Sequence, residues 1–168
     1  TSDGGAIVAG LTESFGNHVD AYLVRIDGEG HELWSAAYGG GGHDAAVAVT
    51  QTDNDGFAVL AETYNFGPGT PKAHNLLVFQ TDAQGDLTWE RTFGGGVEGD
   101  AGFAISQRRG TDGKTEALLI LGATESFSQG HDDFWLMKLS TAGDVLWSRA
   151  YGGPDDDEGR AMAPTDDG

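Results

Sequence analysis

Three aspartates occupy matched places in the sequence. Asp44, Asp100 and Asp157 each follow a glycine doublet: Gly39 and Gly40, Gly94 and Gly95, Gly152 and Gly153. Carboxylates are hard oxygen ligands, and a ring of three is chemistry suited to Ca²⁺. The same side chain also caps backbone N–H groups in turns without any ion. Turn capping is the simpler expectation, and Ca²⁺ at Asp44, Asp100 and Asp157 is the functional one. Residues 155–158, four acids in a row after Pro154, form the densest cation candidate and also read as solvated surface charge. The segment QTDNDGFAVLAE (51–62) half-matches a calcium loop through Asp53, Asp55, Gly56 and Glu62. Gln51 occupies the first ligand place and no helices flank the segment, so a hairpin turn is expected there.

Other chemistry is thinly represented. The five histidines, at 18, 31, 43, 74 and 131, make no close zinc spacing. No Ser lies in a G-x-S-x-G elbow. The glycine doublets precede neither a helix nor a Lys-Ser/Thr pair, so they read as turns rather than phosphate cradles. With no cysteine, disulfides and thiolate metal sites are excluded. No convergent catalytic set emerges, and a non-enzymatic role is expected. Acidic pairs for glycosidase-like chemistry carry no signal, because some of the 27 acids always lie close together.

The elements that would position these residues come in repeats. Trp34, Trp89 and Trp147 are 55 and 58 residues apart, each four residues after a glycine. Around them recur IDGEGHELW (26–34), TDAQGDLTW (81–89) and LSTAGDVLW (139–147). Upstream lie DAYLVRI (20–26), NLLVFQT (75–81) and DFWLMKL (133–139), and before those AIVAGLTESFG, FAVLAETYNFG and LLILGATESFS. After the doublets come DAAVAV, DAGFAI and DEGRAMA. Each unit therefore holds four strand-sized segments separated by Gly, Asp, Asn or Pro turns. No stretch has the spacing of a long amphipathic helix. Repeats fall at about 1–50, 51–106 and 107–164, with 157–163 reading as the first strand of a following unit. Two polar inserts, 67–74 and 108–116, are expected outside the sheets.

Four strands per period of about 55 residues is the pattern of a β-propeller blade. The expected class is all-β: three four-stranded antiparallel blades, an incomplete ring in a single chain. Trp34, Trp89 and Trp147 are expected to pack between blades, Trp135 in the core, and the six doublet glycines to turn the chain from one blade to the next.

The run DGGAIVAGLTESFG…DAYLVRIDGEGHELWSAAYGG…D resembles the β-propeller repeats of secreted bacterial and archaeal proteins, the SBBP-like and delta-60-like families. The likeness covers nearly the whole chain in three copies. The D-x-x-G-x-x-x-W run at residues 27–34 and 82–89 also resembles the tryptophan-docking motif of quinoprotein-type propellers; Ser140 replaces Asp in the third copy. Kelch repeats are a weaker match, since their doublet precedes the tryptophan. The resemblance implies the fold more than a function. By it, the segments after the doublets are innermost strands and the tryptophan segments outermost. The chain then starts on a second strand and ends on a first one.

Charge narrows the partners. Nine basic residues stand against 27 acidic ones, a formal net of −18. Such a chain repels nucleic-acid phosphate and anionic lipid. It suits brine, where salt screens self-repulsion. No apolar run is long enough to span a membrane as a helix. The chain opens at Thr1 and reads as a processed chain or a piece of something longer. The expectation is an extracellular or cell-surface module of a halophilic microbe, structural or adhesive, that self-associates or continues into further blades as a ring or filament. A propeller binding glycan, peptide or Ca²⁺ at its channel mouth is the alternative. A fragment of a larger propeller enzyme, such as a glycan lyase or hydrolase, is the third reading.

Overall fold

The computed structural model describes residues 1–15, 18–64, 74–95, 99–128 and 130–165. They form eleven strands: β1 (Ala6–Thr12), β2 (Asp20–Ile26), β3 (Glu32–Tyr38), β4 (His43–Gln51), β5 (Phe57–Tyr64), β6 (His74–Thr81), β7 (Leu87–Phe93), β8 (Asp100–Arg109), β9 (Thr115–Thr124), β10 (Asp133–Ser140) and β11 (Val145–Tyr151). No helix occurs among the described residues. The strands make three antiparallel meanders, β1-β2-β3, β4-β5-β6-β7 and β8-β9-β10-β11. The expectation of four strands in every sheet is thus corrected for the first, where β1 forms the edge. Residues 157–163, expected as the first strand of a following unit, lie in no strand here.

The turns follow from residue type. Asp27 Oδ1 accepts the N–H groups of Glu29 and His31, each at 2.9 Å, and Asp82 Oδ1 does the same for Gln84 and Asp86. In the third sheet Ser140 Oγ takes both roles, from Ala142 at 3.3 Å and Asp144 at 3.1 Å. A hydroxyl oxygen can accept the same pair of donors as a carboxylate. This explains how the third copy departs from Asp and keeps its turn. After each of these turns one residue of the outer strand bulges, Leu33, Thr88 or Leu146, before the tryptophan pairs with the neighbouring strand. Such bulges bend and twist a strand locally.

Both faces of the middle sheet are apolar, so alternation sends successive residues into two different cores. Phe57, Val59, Ala61, Leu77 and Phe79 meet Ala21 and Leu23 of the first sheet. Ala58, Leu60, Leu76 and Val78 meet Leu118, Ile120, Trp135, Met137 and Leu139 of the third. Sheet-on-sheet burial of this kind, about 1.5–3 kcal/mol per fully buried large aliphatic side chain, holds the stack together.

The insert at 108–116 does not lie outside the sheet as expected. It lengthens β8 and β9 to ten residues each, leaving only a tight turn at 110–114. Polar residues pair as well as apolar ones where the strand edge faces solvent, and Asp53 fastens them: Arg109 Nη1 donates to it at 2.8 Å and Thr115 N at 2.6 Å. Of the insert at 67–74 only His74 is described, and the closing turn at 165–168 lies outside the described residues except for Thr165.

Candidate functional site

Asp44 and Asp100 sit near the start of the edge strands β4 and β8 of successive sheets, and Asp157 lies in the segment after β11. Each holds its glycine turn. Gly40 N donates to Asp44 Oδ2 at 2.8 Å, and Gly153 N to Asp157 Oδ2 at 2.8 Å. Asp100 accepts from the Thr124 and Ser126 hydroxyls and from the Gly95 backbone. A methyl group at Gly39, Gly94 or Gly152 would collide with Asp44, with Asn75 and Asp100, or with Asp133 and Asp157. The doublets are therefore glycine where the turn must let a carboxylate or amide come against the backbone.

Asp44 and Asp100 each belong to a row across a sheet, whereas Asp157 lies in no strand. Asp44 pairs with Thr63, which pairs with Asn75; Asp100 pairs with Thr124, which pairs with Asp133. All six are almost fully buried. In the first sheet the row is Thr12 and Asp20. Burial raises the Asp100 carboxyl above its ordinary range, against the pull of the Thr124 and Ser126 hydrogen bonds. Asp44 Oδ1, Thr63 Oγ1 and Asp133 Oδ1 are buried without a hydrogen-bond partner among the described residues. Sequence reasoning singled out the first acid of each row and missed Thr63, Asn75, Thr124 and Asp133. In sequence a threonine ending a strand is indistinguishable from an ordinary strand residue.

The structure does not gather Asp44, Asp100 and Asp157 at one point. Among the described residues, one trio brings ligand atoms within 4.8 Å of one another: Asp27, Glu29 and His31. These are the capped turn of the β2–β3 hairpin, where His31 Nδ1 also meets Asp27 Oδ2 at 3.1 Å. The His31 N–H hydrogen bond comes first among the influences that lower the Asp27 carboxyl. The segment 51–62 forms a hairpin turn. Thr52 N donates to Gly56 O, Asp53 binds Arg109 and Thr115, and Glu62 accepts Gly102 N at 3.1 Å.

Trp34 and Trp89 lie at the two seams between sheets. Trp34 donates through Nε1 to Ala83 O at 3.0 Å and lays its ring against Gly85, on the next sheet's β6–β7 turn. Tyr38 OH donates to Gly85 O at 2.6 Å and stacks with Phe79 at 4.8 Å between centroids. Trp89 lays its ring on Gly143, on the β10–β11 turn, in the same way, but its Nε1 donates to Gln80 Oε1 of its own sheet at 3.1 Å and Phe93 stands in the place of Tyr38. Trp147, on β11, is half-buried on the outer side of the third sheet. Trp135 is core and donates to Ser148 Oγ at 2.8 Å. At the foot of the first seam is a cleft of about 540 Å³, edged by Asp3, Arg25, Trp34, Gln51 and Asp55. In it Arg25 pairs with Asp3, and Asp55 accepts from Ser2 and Gln51. The Thr1 hydroxyl, the Gly5 N–H and Arg25 hold the Asp3 carboxyl down at about 2.

No protein-family model matches the chain, and no curated protein matches it significantly.

Proposed function

We propose that this chain is a non-catalytic, extracellular structural or adhesive module of the β-propeller type, similar to the secreted repeat families named above, which joins further sheets of its own kind into a ring or filament. One observation carries this reading. Two consecutive seams share one contact, a tryptophan ring laid on a left-handed glycine, Trp34 on Gly85 and Trp89 on Gly143. The third sheet presents Trp147 and a half-exposed Tyr151 for another. Apolar residues on the outer side of both end sheets support it, Val8 at 52% and Phe134 at 37% exposed. A heterologous joint of this kind either closes or propagates. Particle images and the mass in solution test the reading. A ring, or a filament with a repeat of three sheets, is expected; a stable, well-folded 17.5 kDa monomer overturns it.

A second reading is Ca²⁺ held at the aspartate rows. The buried carboxylate oxygens Asp44 Oδ1 and Asp133 Oδ1 favour it. Millimolar Ca²⁺ then raises Tm, and Asp44→Asn abolishes the rise. An unchanged Tm removes this reading.

A further inference from the structure

We infer that residues 157–164 of one copy become the innermost strand of a second copy's first sheet, pairing antiparallel with β1, while Trp147 docks on Gly30 of that second copy. This rests on the assembly reading above and names the contacts that make it.

The first observation is where the segment lies. Its residues are in no strand, yet they sit on the third sheet as β4 sits on the first and β8 on the second. Asp157 N donates to Asp132 O at 2.6 Å, as Asp44 N does to Val19 O at 2.8 Å. Asp157 caps Gly153 as Asp44 caps Gly40. A methyl group on Gly159 would lie 3.0 Å from Leu121, and one on Gly102 would lie 3.1 Å from Leu60. The Arg160 guanidinium stands 5.2 Å over the Phe103 ring. The segment thus already has an innermost strand's seat, and no sheet among the described residues pairs with it.

The second observation is the edge it fits. Near the start of each complete sheet an Asp faces a Thr: Asp44 with Thr63, Asp100 with Thr124. Both innermost strands then bulge by one residue, at Val47 and Phe103. Carried to the first sheet, this register sets Asp157 against Thr12 and Gly159 against Gly10. Arg160 takes the bulge, and Ala161 faces Ala9. Met162 then faces Val8, where the equivalent pairs are Val49 with Val59 and Ile105 with Ile120. Val49 and Ile105 both pack into seams, and apolar Met162 suits that place.

The third observation is the dock. Gly30, Gly85 and Gly143 share one left-handed conformation, φ +87°, +90° and +85°. A tryptophan ring covers the latter two, whereas Gly30 has nothing within 4 Å of where a methyl group would project. Charge agrees: Arg91 flanks Trp89 at the second seam, and Arg149 flanks Trp147. The Gly30 turn carries Asp27 and Glu29. A second copy is the occupant that offers edge strand, apolar face and acidic turn together.

The chain has no cysteine, so introduced thiols report cleanly. Val8→Cys and Met162→Cys are made as separate variants, mixed and mildly oxidised. Strand neighbours lie within disulfide reach. The expected result is a disulfide-linked dimer in that mixture, much less with Val8→Cys and Glu158→Cys, and association at least about tenfold weaker for Trp147→Ala, the scale of a lost interface tryptophan. An assembly that forms without this cross-link overturns the inference and leaves the self-assembly reading standing. A chain that stays monomeric at tens of micromolar overturns both.

Discussion

At the scale of single residues, the seams make glycine and tyrosine unequal to their look-alikes. Gly85→Ala adds a methyl 3.1 Å from the Trp34 ring and strains a left-handed backbone. Gly30→Ala has the strain alone, about 1–2 kcal/mol in the isolated chain. Denaturant melts of the monomeric Trp147→Ala background should rank Gly85→Ala the more destabilising by a further 1 kcal/mol or so. Tyr38 gives a pH signature. Burial first, then Asp86 and Asp82, pushes its phenol from 10.0 up to about 12. The folded chain keeps this proton while the unfolded chain gives it up. Stability is therefore whole below pH 10 and falls as pH climbs toward 12. Tyr38→Phe removes that part of the alkaline slope and costs about 1 kcal/mol at neutral pH through the lost hydrogen bond to Gly85 O. Equal slopes for both proteins between pH 10 and 12 contradict the assignment.

At the scale of elements, adjacent sheets are coupled by small-against-large contacts. Gly102 of β8 lies over the Leu60 side chain of β5. Gly102→Val overfills this place and costs about 1–3 kcal/mol; Leu60→Ala leaves a cavity and costs about 2–5 kcal/mol. The pair should cost less than the sum, because each change relieves the other. A double-mutant cycle reads this coupling, and strict additivity excludes the contact. Much of this level was legible in the sequence. Turn residues at a recurring spacing gave strand order and approximate bounds, because Gly, Asp and Ser interrupt the short apolar runs where the chain reverses. Polar strands were not legible: Arg108, Arg109 and Thr115 read as loop, and the cross-sheet bond to Asp53 that holds them leaves no local pattern. The aspartate rows were half legible, since a row joins three strands and the sequence displays one strand at a time.

At the scale of the whole molecule, charge is the dominant fact. A net of −18 repels itself in dilute buffer. The repulsion is concentrated in places: burial, followed by Glu125, Asp156 and Glu158, raises the Asp132 carboxyl, beside the segment proposed to bridge copies. Salt at 1 M shortens the screening length to about 3 Å. Tm and association should therefore both rise with NaCl, and Asp156→Asn should reduce the salt dependence. A melting temperature unchanged between dilute and molar salt argues against a brine origin. The charge was fully legible from composition, but the crowding of Asp132 was not, because Asp156 and Glu158 reach it from beyond β11.

The matched joints bear on how such a chain varies over generations. Each of the first two sheets docks onto its successor through a tryptophan, a left-handed glycine and a capped turn, and the tryptophans recur at intervals of 55 and 58 residues. Unequal crossing-over between repeats would remove or add a whole unit and leave each surviving junction built on a tryptophan ring over a glycine. Copy number is then free to drift while the fold is preserved, and length becomes the trait on which selection acts.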